Sequence, residues 1–137
     1  MPTKTMETEA VKAHLPQVLD FLEGSLEEAG CPMKTLMQIC IAVEEIFVNI
    51  ASYAYAPETG SVRIRLDMPG EPSKAVITFE DSGIPYDPLK KEDPDVTLSA
   101  EERQIGGLGI YMVKQSMDDV RYQYKDGKNV LTLEKNF

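Results

Sequence analysis

The chain has 137 residues, 42% apolar and 27% charged, with a formal net charge of −9. That length fits a single domain over residues 1–137 with a sizeable core, and the acidic balance argues against nucleic acid, where phosphate neutralisation supplies most of the affinity. No apolar run approaches the roughly 20 residues needed to span a bilayer, and the opening MPTKTMETEAVK lacks the apolar core of a signal peptide. The expectation is a cytoplasmic protein with no membrane partner. Cys31 and Cys40 stand nine residues apart with no second ligand pair, which argues against zinc and for free thiols in a reducing compartment. A small anionic ligand stays open, provided that a metal ion, a helix N-terminus or placed basic side chains offset the overall repulsion.

In chain order, Thr3–Glu9 reads as an edge strand. From His14 to Ala29 the apolar positions Leu15, Val18, Leu19, Leu22 and Leu26 fall at helical spacing, with Pro16 tolerable in the first turn and Gly30 and Pro32 as stop signals. A longer helix is predicted from about Met33 to Ala54, its buried stripe formed by Leu36, Ile39, Val43, Ile46, Phe47 and Ile50. After a turn at APETGS, Val62, Ile64 and Leu66 alternate with Arg63, Arg65 and Asp67, a half-buried strand. GEPS turns the chain into a returning strand, KAVITFED.

Ser82 to Ile105 has Pro85, Pro88 and Pro94, many charges and no regular pattern, and a stretch of that length inside a compact domain reads as a lid or an irregular loop. A third helix is predicted from about Leu108 to Met117, with Met112 and Met117 packing in the core. VRYQYKDGKNVLTLEK closes the chain as a hairpin turning at Asp126-Gly127. Strands joined by short turns, with helices segregated to one face, make an α+β two-layer sandwich: a mainly antiparallel mixed sheet, covered on one face by about three helices and open to water on the other.

The run GGLGIYMVKQSMDDV sets glycines before an apolar helical pattern, which costs helix stability and calls for a reason. A P-loop is excluded because no Lys-Ser or Lys-Thr follows the last glycine, and the dinucleotide fingerprint because its spacing is not met. Elsewhere, Glu45 and Asn49 lie four residues apart on one helix face. A carboxamide oxygen suits a hard cation such as magnesium, and a carboxylate one turn away can orient or deprotonate a hydroxyl. Asp81 shares a strand face with Ile77 and Phe79 and so points towards the core; an Asx turn is the plainer reading of DSG. His14, the lone histidine, lacks the setting of a phospho-accepting residue.

AVEEIFVNIASYAY, EDSGIPYDP and GGLGIYMVKQSMDDV, in this order, resemble the N, G1 and G2 boxes of the GHKL ATPase superfamily, whose ATP-binding domain has the Bergerat fold. More closely, they are similar to its small stand-alone branch, the bacterial anti-sigma-factor serine/threonine kinases. The likeness runs from about Val11 to Glu134. It implies that ATP or ADP binds with Mg2+, that Asn49 is the metal ligand, and that Asp81 accepts a hydrogen bond from the adenine amino group while Gly83 gives the base room. Tyr53 and Ile84 belong to the implied nucleotide set. So do Ile105, Gly106, Gly107, Leu108, Gly109 and Ile110, whose backbone N–H groups approach the phosphates at the end of an ATP lid spanning about 84–105. Glu45 is the implied catalytic base towards a serine hydroxyl.

The family's pattern is not matched throughout. Tyr53-Ala54-Tyr55 stands where His-Ala-Tyr is frequent, and Ile105 stands where the kinases carry an arginine, with Arg103 as the nearby catalytic cation. The place of an adenine-contacting threonine in the last hairpin falls at Asn129, which keeps hydrogen-bonding capacity. The implied partners are an anti-anti-sigma protein of the STAS fold and a sigma factor, with a homodimer among the options. The alternative is a nucleotide-gated binding switch without chemistry, to which the lost arginine points.

Overall fold

The structure is a computed structural model and describes residues 3–55, 58, 60–69, 73–90 and 108–137. Strand β1 (Thr3–Glu9) is followed by a 3-10 turn at Lys12–His14, helix α1 (Leu15–Glu28) and helix α2 (Met33–Tyr53). Strands β2 (Ser61–Asp67) and β3 (Lys74–Asp81) come next, then a short 3-10 turn at Pro88–Lys90, helix α3 (Leu108–Ser116), and strands β4 (Asp119–Lys125) and β5 (Lys128–Asn136). The five strands form one sheet in the order β1-β2-β3-β5-β4. Every pairing among the described residues is antiparallel, in keeping with the mainly antiparallel sheet expected from the sequence.

Alternation decides which face of the sheet is covered. Val62, Ile64 and Leu66 of β2, Ala75, Ile77 and Phe79 of β3, and Leu131 and Leu133 of β5 are buried in one cluster with Val18, Leu22 and Leu26 of α1 and Leu36, Ile39, Val43, Ile46 and Phe47 of α2. Each of these side chains larger than alanine contributes about 1.5–3 kcal/mol relative to exposure. Arg63, Arg65, Arg121 and Gln123 point from the opposite face into water. α2 is the helix that contacts both α1 and α3. The β4–β5 turn places Asp126 at φ 54° and Gly127 at φ 75°, the left-handed pair that matches the twist of a tight hairpin.

Two expectations need correction. At 21 residues and apolar composition, α2 is long enough to cross a membrane, although no such run was expected; here its inward stripe packs into the core. Met112 is 54% exposed while Met117 is buried. The inward stripe of α3 is Ile110 and Val113, continued by Met117, and a side chain two residues after Ile110 falls on the far side of the helix.

The register brings distant segments together. Asp81 at the end of β3 pairs with Val62 on one side and Asn129 on the other. The Ile84 N–H donates to the carbonyl of Ala54 at 2.9 Å, joining the turn after β3 to the C-terminal end of α2. Tyr55 ties the same turn to β2, its hydroxyl donating to the Ser61 carbonyl at 2.7 Å and accepting from the Ser82 N–H at 2.8 Å. His14 is a local tie, its Nδ1 lying 2.9 Å from the Thr8 hydroxyl.

Candidate functional site

Between the second half of α2, the turn after β3 and the β4–β5 edge lies a narrow cavity of about 40 Å3 that opens to solvent. Ile46, Ile50 and Leu131 give it apolar walls, Tyr53, Ile84 and Tyr86 border it, and Asn49, Asp81, Tyr122 and Asn129 are its polar lining. The composition, apolar walls with a few polar groups, fits a small flat ligand oriented by those groups. The Tyr53 and Tyr86 rings stand 6.1 Å apart at 39°, and Tyr53 is half exposed at the rim.

Asp81 is 5% exposed, as its place on the inward face of β3 predicts. Its Oδ1 accepts from Asn129 Nδ2 and from the Gly83 N–H, both at 2.9 Å. Oδ2 is the oxygen left to meet a ligand. Burial pushes the carboxyl above the ordinary aspartate value, and the bonds from Asn129 and Gly83 pull in the opposite direction. Gly83 completes the turn by close approach: a Cβ at this position would overlap the Ala54 carbonyl at the end of α2. The Asx turn and the core-facing carboxylate are therefore one device.

Asn129 has a different part from the one expected. Its Nδ2 donates to Asp81 and, at 2.8 Å, to the Ile84 carbonyl, while its Oδ1 accepts from the Tyr86 N–H at 3.1 Å and from the Tyr122 hydroxyl. Two amide hydrogens and two lone pairs are all that a carboxamide offers. Asn129 thus latches the turn from Gly83 to Tyr86 onto the sheet and keeps no capacity for a base.

On α2, Asn49 Nδ2 donates to the Glu45 carbonyl and to Glu45 Oε1, each at 2.9 Å. That leaves Asn49 Oδ1 as a neutral oxygen ligand beside the cavity. Gly109, in the first turn of α3, lies against the same carboxylate, and a Cβ there would overlap it. The glycine makes room for Glu45, a reason the sequence did not disclose. Among the described residues no cluster of three His, Cys, Asp or Glu forms a metal cage. A cation at Asn49 must take most of its ligands from a bound ligand and water, which is how magnesium usually binds.

The structure therefore brings together Glu45, Asn49 and Gly109 on one side of α2 and Asn49, Tyr53, Asp81, Gly83 and Ile84 around the cavity. Leu108 opens α3, and the side chain of Ile110 is in the core, so only its backbone can face a ligand. Arg103, Ile105, Gly106, Gly107 and the greater part of the expected lid lie outside the described residues. The reading of the sequence missed Tyr86 and Tyr122. Tyr122 follows the inward alternation of β4, a signal that was available; Tyr86 depends on the turn geometry and had none.

A model of the histidine kinase-like ATPase domain matches residues 8–135. The chain belongs to the histidine kinase-like ATPase family. It is 26% identical over 131 residues to the serine/threonine-protein kinase BtrW of Bordetella bronchiseptica, covering 96% of this chain and 92% of that one. It is 29% identical over 115 residues to the serine-protein kinase RsbW of Listeria monocytogenes, covering 80% and 72%. Among solved structures, that of the RsbU and RsbW domains of Rv1364c from Mycobacterium tuberculosis superposes with a TM-score of 0.70 over 98% of this chain at 16% identity, a likeness of fold. This chain spans about a third of that longer one, 32%. Membership of the family implies that the chain binds ATP.

Proposed function

We propose that this protein is an ATP-dependent protein serine/threonine kinase of the anti-sigma type, acting in the cytoplasm as one ATPase domain over residues 1–137. The observation that carries the reading is the Glu45 carboxylate, held by Asn49 and seated in the space left by Gly109, directly beside a cavity whose polar floor is Asp81. Asp81 Oδ2 receives the adenine amino group, Gly83 and Ile84 let the base approach, and Tyr53 shields its exposed edge. Asn49 Oδ1 holds magnesium. The metal, when bound, offsets the phosphate charge that an acidic protein would otherwise repel.

The N-terminus of α3, from Leu108 through Ile110 with Gly106 and Gly107 ahead of it, offers backbone N–H groups to the phosphates. Glu45 takes the proton of the attacking serine hydroxyl. The serine oxygen forms a bond to the γ-phosphorus, the bond from that phosphorus to the β–γ bridging oxygen breaks, and ADP departs. Arg103 supplies positive charge to the transferred group in place of the arginine that Ile105 displaces. The substrate is an anti-anti-sigma protein of the STAS fold, and a sigma factor is the alternative partner.

Incubation of each purified STAS protein of the organism with the kinase, magnesium and γ-labelled ATP tests the reading. Label should appear on a serine of one of them. The substitution of Ile105 for arginine favours a second reading, a nucleotide-gated switch. ATP-dependent partner binding without label would select it.

A further inference from the structure

α2 and α3 border a second, larger concavity of about 590 Å3, open to solvent and lined by Ile41, Glu44, Glu45, Val48, Gly109 and Met112 among others. It abuts the nucleotide cavity at one seam. Asn49 lines the first, Glu45 lines the second, and the hydrogen bond between them joins the two. Spacing of four residues sets Met33, Met37 and Ile41 on one face of α2, leading towards Glu45. They are 65%, 58% and 63% exposed, and Met112 across the groove is 54% exposed. Four of the seven large hydrophobic side chains exposed among the described residues thus lie along this one surface. An apolar concentration of this kind marks a contact surface, and methionines suit one that must adapt to its occupant.

We infer that this groove docks the serine-bearing segment of the protein substrate, through apolar side chains flanking the serine. The inference rests on the kinase reading. Glu45 can accept a proton only from a hydroxyl brought to it, and the side towards Asn49 is taken by the nucleotide. The hydroxyl therefore enters from the groove, whose exposed apolar stripe receives its neighbours. Charge narrows the occupant further. Among the described residues the lining carries the carboxylates of Glu44 and Glu45 and no lysine or arginine, so the part of the segment that lies against α2 is apolar or basic and not acidic.

Ile41→Asp and Met112→Ser test this, since both residues are exposed and neither touches the nucleotide cavity. The wild type and both variants are assayed for phosphate transfer to each purified STAS protein of the organism, with ATP titration, thermal melting and sedimentation in parallel. For the phosphorylated partner, Ile41→Asp should raise KM about tenfold or more, as expected for a charge set in an apolar contact. Met112→Ser should raise it severalfold. The kcat, ATP affinity and melting midpoint should hold. Unchanged KM in both variants overturns the docking surface and leaves the kinase reading standing. Loss of a dimer on Ile41→Asp with KM unchanged gives the surface to a second copy of the chain instead. Absence of transfer by the wild type overturns the kinase reading and this inference together.

Discussion

In the proposed site Asp81 is the carboxylate that selects the base. Its Oδ1 is held by two donors, so an amide replacing the carboxylate must keep its oxygen there and turn its NH2 into the cavity. Asp81→Asn should therefore set donor against the adenine amino group and weaken ATP about ten- to a hundredfold, the cost of one unmade hydrogen bond. GTP, with a carbonyl at that position, should lose less, and competition titrations of the two nucleotides check the ratio. The apo variant should melt no lower than the wild type, because burial already disfavours the ionised form. The sign with pH follows from the raised pKa. The folded state holds this proton more tightly than the unfolded chain, so stability from Asp81 declines as pH rises from the ordinary value of 3.8 through the folded value. ATP binding runs the other way. Protonation falls on Oδ2, turns the acceptor into a donor, and should cost affinity as pH falls through that same raised value. At Cys40, burial first and the Glu23 carboxylate second push the thiol up to about 11. Alkylation at pH 8 should run roughly a hundredfold slower than at an exposed cysteine, and mass spectrometry of a timed reaction with iodoacetamide reads it; equal rates would contradict the assigned surroundings.

The turn from Asp81 to Tyr86 is where strand, helix and sheet edge meet, and its stability belongs to the element. Asn129 bonds to it at Asp81, Ile84 and Tyr86, Ala54 receives its Ile84 N–H, and Tyr55 receives its Ser82 N–H. Asn129→Ala should cost about 1–3 kcal/mol, because the buried groups it satisfies are left unpaired. It should weaken ATP without touching any nucleotide atom, and Asn129→Thr should restore only part of the loss; urea melts and ATP titrations of the two variants measure both effects. Much of the element plan was legible beforehand. The period of α1 and α2, the alternation of β2 and the Asp-Gly turn are local signals, and each element appears close to its expected bounds. The inward direction of Asp81 followed from the same alternation. What stayed hidden is non-local. The part of Gly109 depends on Glu45 arriving from another helix, and the latch of Asn129 depends on β5 entering the sheet between β3 and β4. A single sequence read along its length carries neither fact.

At the scale of the molecule, a protein with a net charge of −9 must admit a ligand that is itself a polyanion. In the proposed function magnesium and the start of α3 offset that repulsion, so ATP binding should depend steeply on the metal. Asn49→Ala should lose the magnesium-dependent part of ATP affinity and with it the rise in melting midpoint that saturating nucleotide gives by mass action. Glu45 should behave otherwise, although it shares a hydrogen bond with Asn49. As the proposed base it acts on the hydroxyl and not on the nucleotide, so Glu45→Ala should bind MgATP nearly as the wild type does. The most direct measurement is single-turnover transfer of γ-phosphate to the cognate partner by the wild type and Glu45→Ala, each saturated with MgATP. The account predicts a transfer rate lower by about 10²–10⁴-fold in the variant, the usual contribution of a general base, at unchanged ATP affinity. Transfer by Glu45→Ala at the wild-type rate would contradict it.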